Sequence, residues 1–255
     1  MEVATPVRSQ TLHVAPPTAS TGTRTLAIDI GGTGLKALVL GPDGVAATER
    51  VRVDSPKPGT PTAVLRALWT LIEPLGEFDR VSVGFPGIVI DGVVKTAPNL
   101  HVEWRSFDLG KALADSLRRP VRVLNDAGVQ GYGVIEGKGV ELVITLGTGL
   151  GFALYNDGHY VPNIELAHHP FGNGKTYEEY IGAKALRKIG KKKWNRRVRE
   201  VVAQLLPIFN PNKLYIGGGN AKELRLALPP HVFVTPNIAG LLGGVALWQD
   251  VRTSS

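Results

Sequence analysis

The sequence contains no cysteine. This absence excludes disulfide bonds and zinc–thiolate sites, so we expect no zinc and a reducing compartment such as the cytoplasm. No uninterrupted apolar run reaches the roughly 18 residues that a membrane-spanning helix needs, so we expect no membrane partner. The pattern G-x-x-x-x-G-K-[ST] is also missing, which excludes a P-loop nucleotide-binding protein.

The composition is otherwise typical of a globular protein, with 43% hydrophobic and 20% charged residues among 255. A chain of this length accommodates one large domain or two of ordinary size. Residues 1–23 are rich in Pro, Thr, Ser and Ala and lack the apolar core of a signal peptide. We expect them to form a flexible N-terminal tail.

Positive charge is concentrated in one segment. The formal net charge is +7, and residues 184–199 contain nine Lys and Arg and no acid, so the rest of the chain sums to −2. The segment is either a solvated helical face or a binding site for a polyanion. We expect its cations to surround a helix and a turn at Gly190, with Trp194 as a packing anchor.

Two segments of the chain share one design. Residues 26–40, LAIDIGGTGLKALVL, and residues 142–155, LVITLGTGLGFALY, each place a glycine cluster between two apolar runs. This pattern predicts two glycine-turn hairpins of β-strands. Apolar residues at helical spacing predict helices over 61–75 and 108–118, and the small-residue segment 237–248 is expected to form a last helix.

These alternating patterns predict an α/β protein of two related lobes. We place the N-terminal lobe at residues 24–127 and the C-terminal lobe at residues 128–255, with the last helix packing back on the first lobe.

The glycine clusters have the composition of phosphate-binding loops. Glycine leaves no Cβ in the way of backbone N–H groups that approach a phosphate, and threonine adds a hydroxyl. Asp29, at the end of the first strand, could hold Mg²⁺ through water. The alternative is that both clusters are simply tight turns.

The pair Asn125-Asp126 follows a short apolar strand, so both side chains can face a cleft between the lobes. A carboxylate there could accept the proton of a sugar hydroxyl during phosphoryl transfer. A lone Asn-Asp pair is more often a turn. Further polar residues between apolar segments are Asn99, Glu165 and His168, and a sugar pocket needs such a convergent set.

The chain resembles the ROK sugar kinases of the actin-like superfamily over about residues 24–250. The resemblance rests on the order and spacing of DIGGTGLK, GFPGIV, APNL, LNDA, TLGTGLG, ELAH, IGGGN and NIAGLLGG. It implies two actin-like, ribonuclease H-like lobes that close on a cleft for sugar and phosphoryl donor, and a homodimer. The short chain without zinc ligands further resembles the polyphosphate glucokinase branch.

The resemblance also implies roles for individual residues. Asp126 would be the catalytic base. The sugar-binding residues would be Asn99, Asn125, Asp126, Glu165 and His168. The phosphoryl-donor residues would be Gly31, Gly32, Thr33, Lys36, Gly147, Thr148, Gly149, Gly218 and Gly219. Asp29 would hold Mg²⁺.

Two positions depart from the family pattern. Ala167 stands where the family usually has glycine, and the zinc-binding cysteines are missing. We therefore expect packing to hold the loop around residues 169–175.

The sequence thus predicts a kinase that phosphorylates glucose at its 6-hydroxyl, with polyphosphate favoured as donor and ATP as a second donor. The polyphosphate track would consist of Lys184, Arg187, Lys188, Lys191, Lys192, Lys193, Arg196 and Arg197. The alternative within the family is a strictly ATP-dependent hexose kinase. A sugar-responsive transcription regulator is disfavoured because only 23 residues precede the predicted fold, so we expect no nucleic acid partner. A non-catalytic sugar- or polyphosphate-binding protein is disfavoured because Asp126 is present.

Overall fold

Two five-stranded sheets form the frame of the protein. The computed structural model describes residues 22–172, 174–235 and 239–249. In chain order the strands are β1 Thr25–Ile30, β2 Leu35–Leu40, β3 Val51–Val53, β4 Arg80–Phe85, β5 Val89–Ile90, β6 Val93–Val94, β7 Val121–Asn125, β8 Val140–Leu146, β9 Leu150–Asn156, β10 His159–Val161, β11 Pro170–Gly172, β12 Lys175–Thr176, β13 Lys213–Gly217 and β14 Val232–Val234.

The two sheets have the same plan. The first has the strand order β3-β2-β1-β4-β7 and the second the order β10-β9-β8-β13-β14. In each sheet the first three strands in sequence form an antiparallel meander, and the other two strands pair in parallel beside the first strand. The prediction of two related α/β lobes is therefore confirmed, as is that of two glycine-turn hairpins.

The helices cover and connect these sheets. They are α1 Pro61–Ile72, α2 Leu109–Leu117, α3 Asp126–Tyr132, α4 Tyr177–Ile181, α5 Ala183–Phe209 and α6 Ala239–Leu242. Their starts follow from local sequence: Thr60 caps α1 with its hydroxyl, and Thr176 and Glu179 form a reciprocal capping box on α4. None of the helices in the described part of the chain has the length and apolar character that a membrane span requires.

Each lobe contains its own apolar core, and two elements pack across the chain halves. Helix α3 begins where the first sheet ends, yet its Ala127 and Val129 pack against Val143 and Tyr215 of the second sheet. In the reverse direction, Leu241 and Val245 near the C-terminus pack against Ala27 and Leu38 of the first sheet. The boundary at residue 127 stays a prediction.

The prediction of one continuous last helix over 237–248 is wrong for its described part. Helix α6 ends at Leu242, and a separate 3₁₀ turn forms at Ala246–Trp248. Two glycines interrupt the helix and let the chain come close to its neighbours. A Cβ at Gly243 would overlap the Val129 carbonyl, and one at Gly244 would lie 3.1 Å from Ala27 Cβ. Residues 237 and 238, and residues 1–21 of the predicted tail, lie outside the described residues.

Candidate active site

A cleft of about 400 Å³ lies between the two lobes. All the residues assigned above to the base, the sugar, the donor and the metal line this single cleft. The first lobe contributes Asp29, Gly31, Gly32, Thr33, Lys36, Asn99, Asn125 and Asp126, and the second contributes Gly147, Thr148, Gly149, Glu165, His168, Gly218 and Gly219. Residues that are up to 190 positions apart in sequence therefore meet in one place.

Asp126 is the first residue of α3, and Asn125 fixes its position. The Asn125 side-chain oxygen accepts hydrogen bonds from the N–H groups of Ala127 at 3.0 Å and Gly128 at 3.4 Å. Its amide nitrogen donates to the Gly87 carbonyl at 3.2 Å. Asn125 is thus a helix cap as well as a cleft residue, and one of its amide hydrogens remains for a ligand.

The surroundings of Asp126 favour its neutral form. Burial raises the pKa of this carboxyl to about 7, and the negative charges of Asp29 and Glu165 act in the same direction. The Ala127 N–H, 2.8 Å from Asp126 Oδ1, and the Lys36 ammonium oppose the rise. A carboxyl that titrates near neutral pH is suited to accept a proton and release it again.

Glu165 and His168 face Asp126 from the second lobe. The His168 Nε2 lies 3.9 Å from the Glu165 Oε2, and burial raises the pKa of Glu165. Between them Ala167 is buried in the core of the second lobe and also lines the cleft.

The loop after His168 is held by aromatic packing, as predicted. The Phe171 ring stacks on Tyr180 with centroids 4.4 Å apart and meets the edge of Tyr177 at 5.1 Å.

The first glycine loop is packed tightly against its neighbours. The Gly31 N–H donates to the Gly34 carbonyl at 3.1 Å. A Cβ at Gly32 would lie 3.0 Å from the Asn99 carbonyl oxygen, and one at Gly34 would lie 2.9 Å from the Arg52 guanidinium. Substitution at Gly32 would therefore disturb Asn99, a predicted sugar-binding residue, as well as the glycine loop that is predicted to bind the donor phosphates.

The second and third glycine loops form a continuous surface. Asn220 joins them, since its side chain donates to the Gly147 carbonyl at 2.9 Å and its N–H donates to the Leu146 carbonyl at 2.8 Å. Gly218 has a φ of +86° and lies directly against Leu146, a position that only glycine fills without strain. At Gly147 and Gly219 a Cβ would meet open space, so both face the cleft.

Asp29 and Lys36 form an ion pair at 2.6 Å behind the first glycine loop. The described residues include no group of three or more His, Asp and Glu side chains that could enclose a metal ion. Mg²⁺ typically uses one or two carboxylates together with water and substrate phosphates. Asp29, a cleft carboxylate beside the first glycine loop, fits that mode.

The basic segment lies on α5, outside the cleft. Gly190, with φ +75°, breaks the helix as predicted, and Trp194 is fully buried with its Nε1 donating to the Ile181 carbonyl at 2.7 Å. Seven of the eight predicted track residues are exposed, and Arg197 is partly covered against the Tyr180 ring. Lys191 is paired with Glu223 at 2.6 Å. From this stretch of the chain only Ala183, at the start of α5, lines the cleft.

Sequence reasoning missed five polar residues of the cleft, which are Arg50, Gln130, Thr145, Glu178 and Asn220. Thr145 precedes the second glycine cluster and Asn220 follows the third, so both were recognisable from their positions. The other three carry no local signal, because only strand pairing and helix packing bring them to the cleft.

The two lobes share one strand order and enclose Asp126 and three glycine loops in one cleft, an arrangement typical of kinase-type phosphotransferases of actin-like architecture. The sequence profile of the ROK family matches residues 25–162, just over half of the chain, and the protein belongs to this family.

Several relatives are similar over nearly their whole length. A polyphosphate glucokinase of Mycobacterium tuberculosis (strain CDC 1551 / Oshkosh) is 30% identical over 244 residues, which are 89% of this chain and 92% of that protein. The crystal structure of an inorganic polyphosphate/ATP-glucomannokinase from Arthrobacter sp. strain KM has a TM-score of 0.80 and 33% identity, covering 88% of this chain and 98% of that one.

A ROK family glucokinase from Streptomyces griseus, solved with glucose and AMPPNP, has a TM-score of 0.75 at 21% identity and so supports the fold alone.

Proposed function

We propose that the protein transfers a phosphoryl group from inorganic polyphosphate to the 6-hydroxyl of glucose. The observation that carries this proposal is the single cleft in which Asp126 faces three glycine loops. Relatives named polyphosphate glucokinase, at 28% and 30% identity over most of the chain, support the substrate pair.

Asp126 acts as the general base in this proposal. Its carboxylate accepts the proton of the 6-hydroxyl while the oxygen bonds to the terminal phosphorus. The bond from that phosphorus to the next bridging oxygen breaks, and the polyphosphate leaves one phosphate shorter. Asn99, Asn125, Glu165 and His168 bind the other hydroxyls and orient the sugar for in-line attack.

The glycine loops hold the donor phosphates through their backbone N–H groups. Asp29 would hold Mg²⁺ through water, and the ion, when bound, would neutralise charge on the phosphates. Lys36 places a positive charge at the same point, and Thr33 and Thr148 add hydroxyl donors.

The basic surface on α5 would bind the part of a long polyphosphate that extends beyond the cleft. ATP has no such extension and would not need it. The second candidate function, a hexose kinase that uses ATP, is favoured by the Arthrobacter structure, whose name includes both donors.

The direct test compares the two donors on purified protein with glucose and Mg²⁺. We expect glucose 6-phosphate with long-chain polyphosphate and a smaller or equal rate with ATP. Use of ATP alone would reject polyphosphate as donor and favour the second candidate.

The contribution of α5 is tested by Lys188→Glu/Lys192→Glu/Lys193→Glu. This set leaves out Lys191, because its pairing with Glu223 would confound the result. We expect the KM for long polyphosphate to rise at least tenfold, about 1.4 kcal/mol, with the KM for glucose unchanged.

The matched control is Lys95→Glu/Arg105→Glu/Lys138→Glu, three exposed cations away from the cleft with the same change in charge. Equal KM values for long polyphosphate in the two triple variants would show that the basic segment of α5 is a solvated helical face and does not bind the donor.

The proposal further includes the homodimer and the cytoplasmic location that family resemblance implies. Light scattering of the purified protein tests the dimer, and fractionation of the native cells tests the location.

A further inference from the structure

Arg50 is a cleft residue that has no role in the account above. It lies just before β3 on the first lobe, and its side chain is exposed. Among the described residues it makes no ion pair or hydrogen bond. A guanidinium of this kind, facing a cleft for polyanionic donors, is available to a ligand.

Arg50 continues a row of charged side chains across the first sheet. Strand register places Asp29 opposite Lys36, and Lys36 opposite Arg52. Arg50 directly precedes β3, two positions before Arg52, and lines the cleft. The row therefore runs from β1 over β2 to the edge strand β3.

The inner cations of this row are already engaged. Lys36 pairs with Asp29 at 2.6 Å. Arg52 pairs with Asp54 at 2.8 Å and donates to the Thr33 carbonyl at 3.4 Å, which pins the first glycine loop. Arg50 is thus the member of the row that can bind an anion without losing a protein partner.

The row leads away from Asp126, which follows β7 and packs over Gly84 of β4. Three strand spacings separate β4 from β3, about 14 Å at the usual 4.8 Å per strand. A donor that reaches Arg50 must therefore carry negative charge well behind its reacting phosphate. An extended inorganic polyphosphate does so.

We propose that Arg50 binds phosphate groups of the polyphosphate chain behind the transferred one, and so selects for long inorganic donors from within the cleft. This inference rests on the proposed function and adds a binding residue on the first lobe. The planar guanidinium suits it for this role, because it can donate two parallel hydrogen bonds to one phosphate.

Calorimetric titration of the full-length protein with long-chain polyphosphate, without glucose, tests the inference. We expect Arg50→Gln to raise the Kd at least tenfold and Arg50→Lys to raise it less, because lysine keeps the charge but not the fork. The KM for polyphosphate should rise in parallel, with the KM for glucose unchanged.

The matched control is Arg66→Gln, an exposed arginine on α1 of the same lobe that does not line the cleft. It should leave polyphosphate binding unchanged. If wild type uses polyphosphate and Arg50→Gln binds it equally well, this inference fails while the proposed function stands. A wild type that neither binds nor uses polyphosphate overturns both.

Discussion

The two lobes have the same strand order but present different chemistry to the cleft. In the first hairpin, Asp29 is the last residue but one of β1 and lies opposite Lys36 of β2. In the second hairpin, the corresponding residue of β8 is Thr145, which lies opposite Gly151 of β9. A charged pair in one lobe thus corresponds to a hydroxyl and a glycine in the other.

The fifth strands differ in the same way. Strand β7 leads into Asn125 and Asp126, whereas β14 leads into Thr235. The first lobe therefore places Asp126 and the Asp29–Lys36 pair in the cleft, and the second lobe contributes two of the three glycine loops. In the proposed function, the base comes from the first lobe and most of the glycine surface from the second.

Asp126→Asn removes the central charge of the first lobe and keeps its shape. We expect turnover to fall by about 10²–10⁴-fold, the usual contribution of general-base catalysis, with the fold intact. Steady-state kinetics measure the turnover, and circular dichroism checks that the fold is intact. A variant that keeps more than half of the wild-type rate would show that the base lies elsewhere.

The same substitution should stabilise the protein at alkaline pH. The pKa of Asp126 is raised in the folded state, so wild type loses stability as the pH rises from about 4 to about 7. Asparagine does not titrate. The free energy of unfolding of the variant, relative to that of wild type, should therefore increase over this range by at most about 4 kcal/mol, at 1.36 kcal/mol per pKa unit.

Urea unfolding at pH 4 and pH 8 checks this point. A difference between wild type and variant that is the same at both pH values would mean that Asp126 titrates alike in the folded and unfolded chains.

His168→Ala tests the polar part of the second lobe. We expect glucose binding to weaken by about 1–3 kcal/mol, because a sugar hydroxyl enclosed in the cleft would lose its hydrogen-bond partner. The KM for polyphosphate should stay the same. Equal glucose affinity in calorimetry would assign His168 a purely structural role.

Substitutions in the two glycine loops sharpen the contrast between the lobes. Gly147→Val enters open space on the second lobe, so we expect the donor KM to rise about tenfold, or 1.4 kcal/mol, with unchanged glucose affinity. Gly32→Val meets the Asn99 carbonyl on the first lobe, so both substrates should bind less well. Identical kinetic patterns for the two variants would contradict this difference.

Much of this arrangement was predictable from local sequence. The glycine clusters predicted both hairpins, and Asn125-Asp126 at the end of an apolar strand predicted the position of the base candidate. Local patterns could do this because hairpins and strand ends are set by nearby residues. They could not predict Arg50 or Glu178, which reach the cleft only through strand pairing and packing.

The basic segment shows that sequence can reveal a charged surface without its position. Its charge was evident from composition, but its placement outside the cleft depends on how α5 packs through Trp194 and Val198. The last helix was overpredicted, since the small residues of its sequence also permit close backbone approach at Gly243.

The account depends most on Asp126 being a carboxyl poised near neutral pH, and its titration by nuclear magnetic resonance tests this directly. In protein labelled with ¹³C at the aspartate carboxyl carbon, Asp126→Asn identifies the resonance by removing it. We expect that resonance to titrate near pH 7 in the free protein, and at lower pH in Asp29→Asn, where a like charge is gone. A midpoint below pH 5 in the wild-type protein would contradict the account.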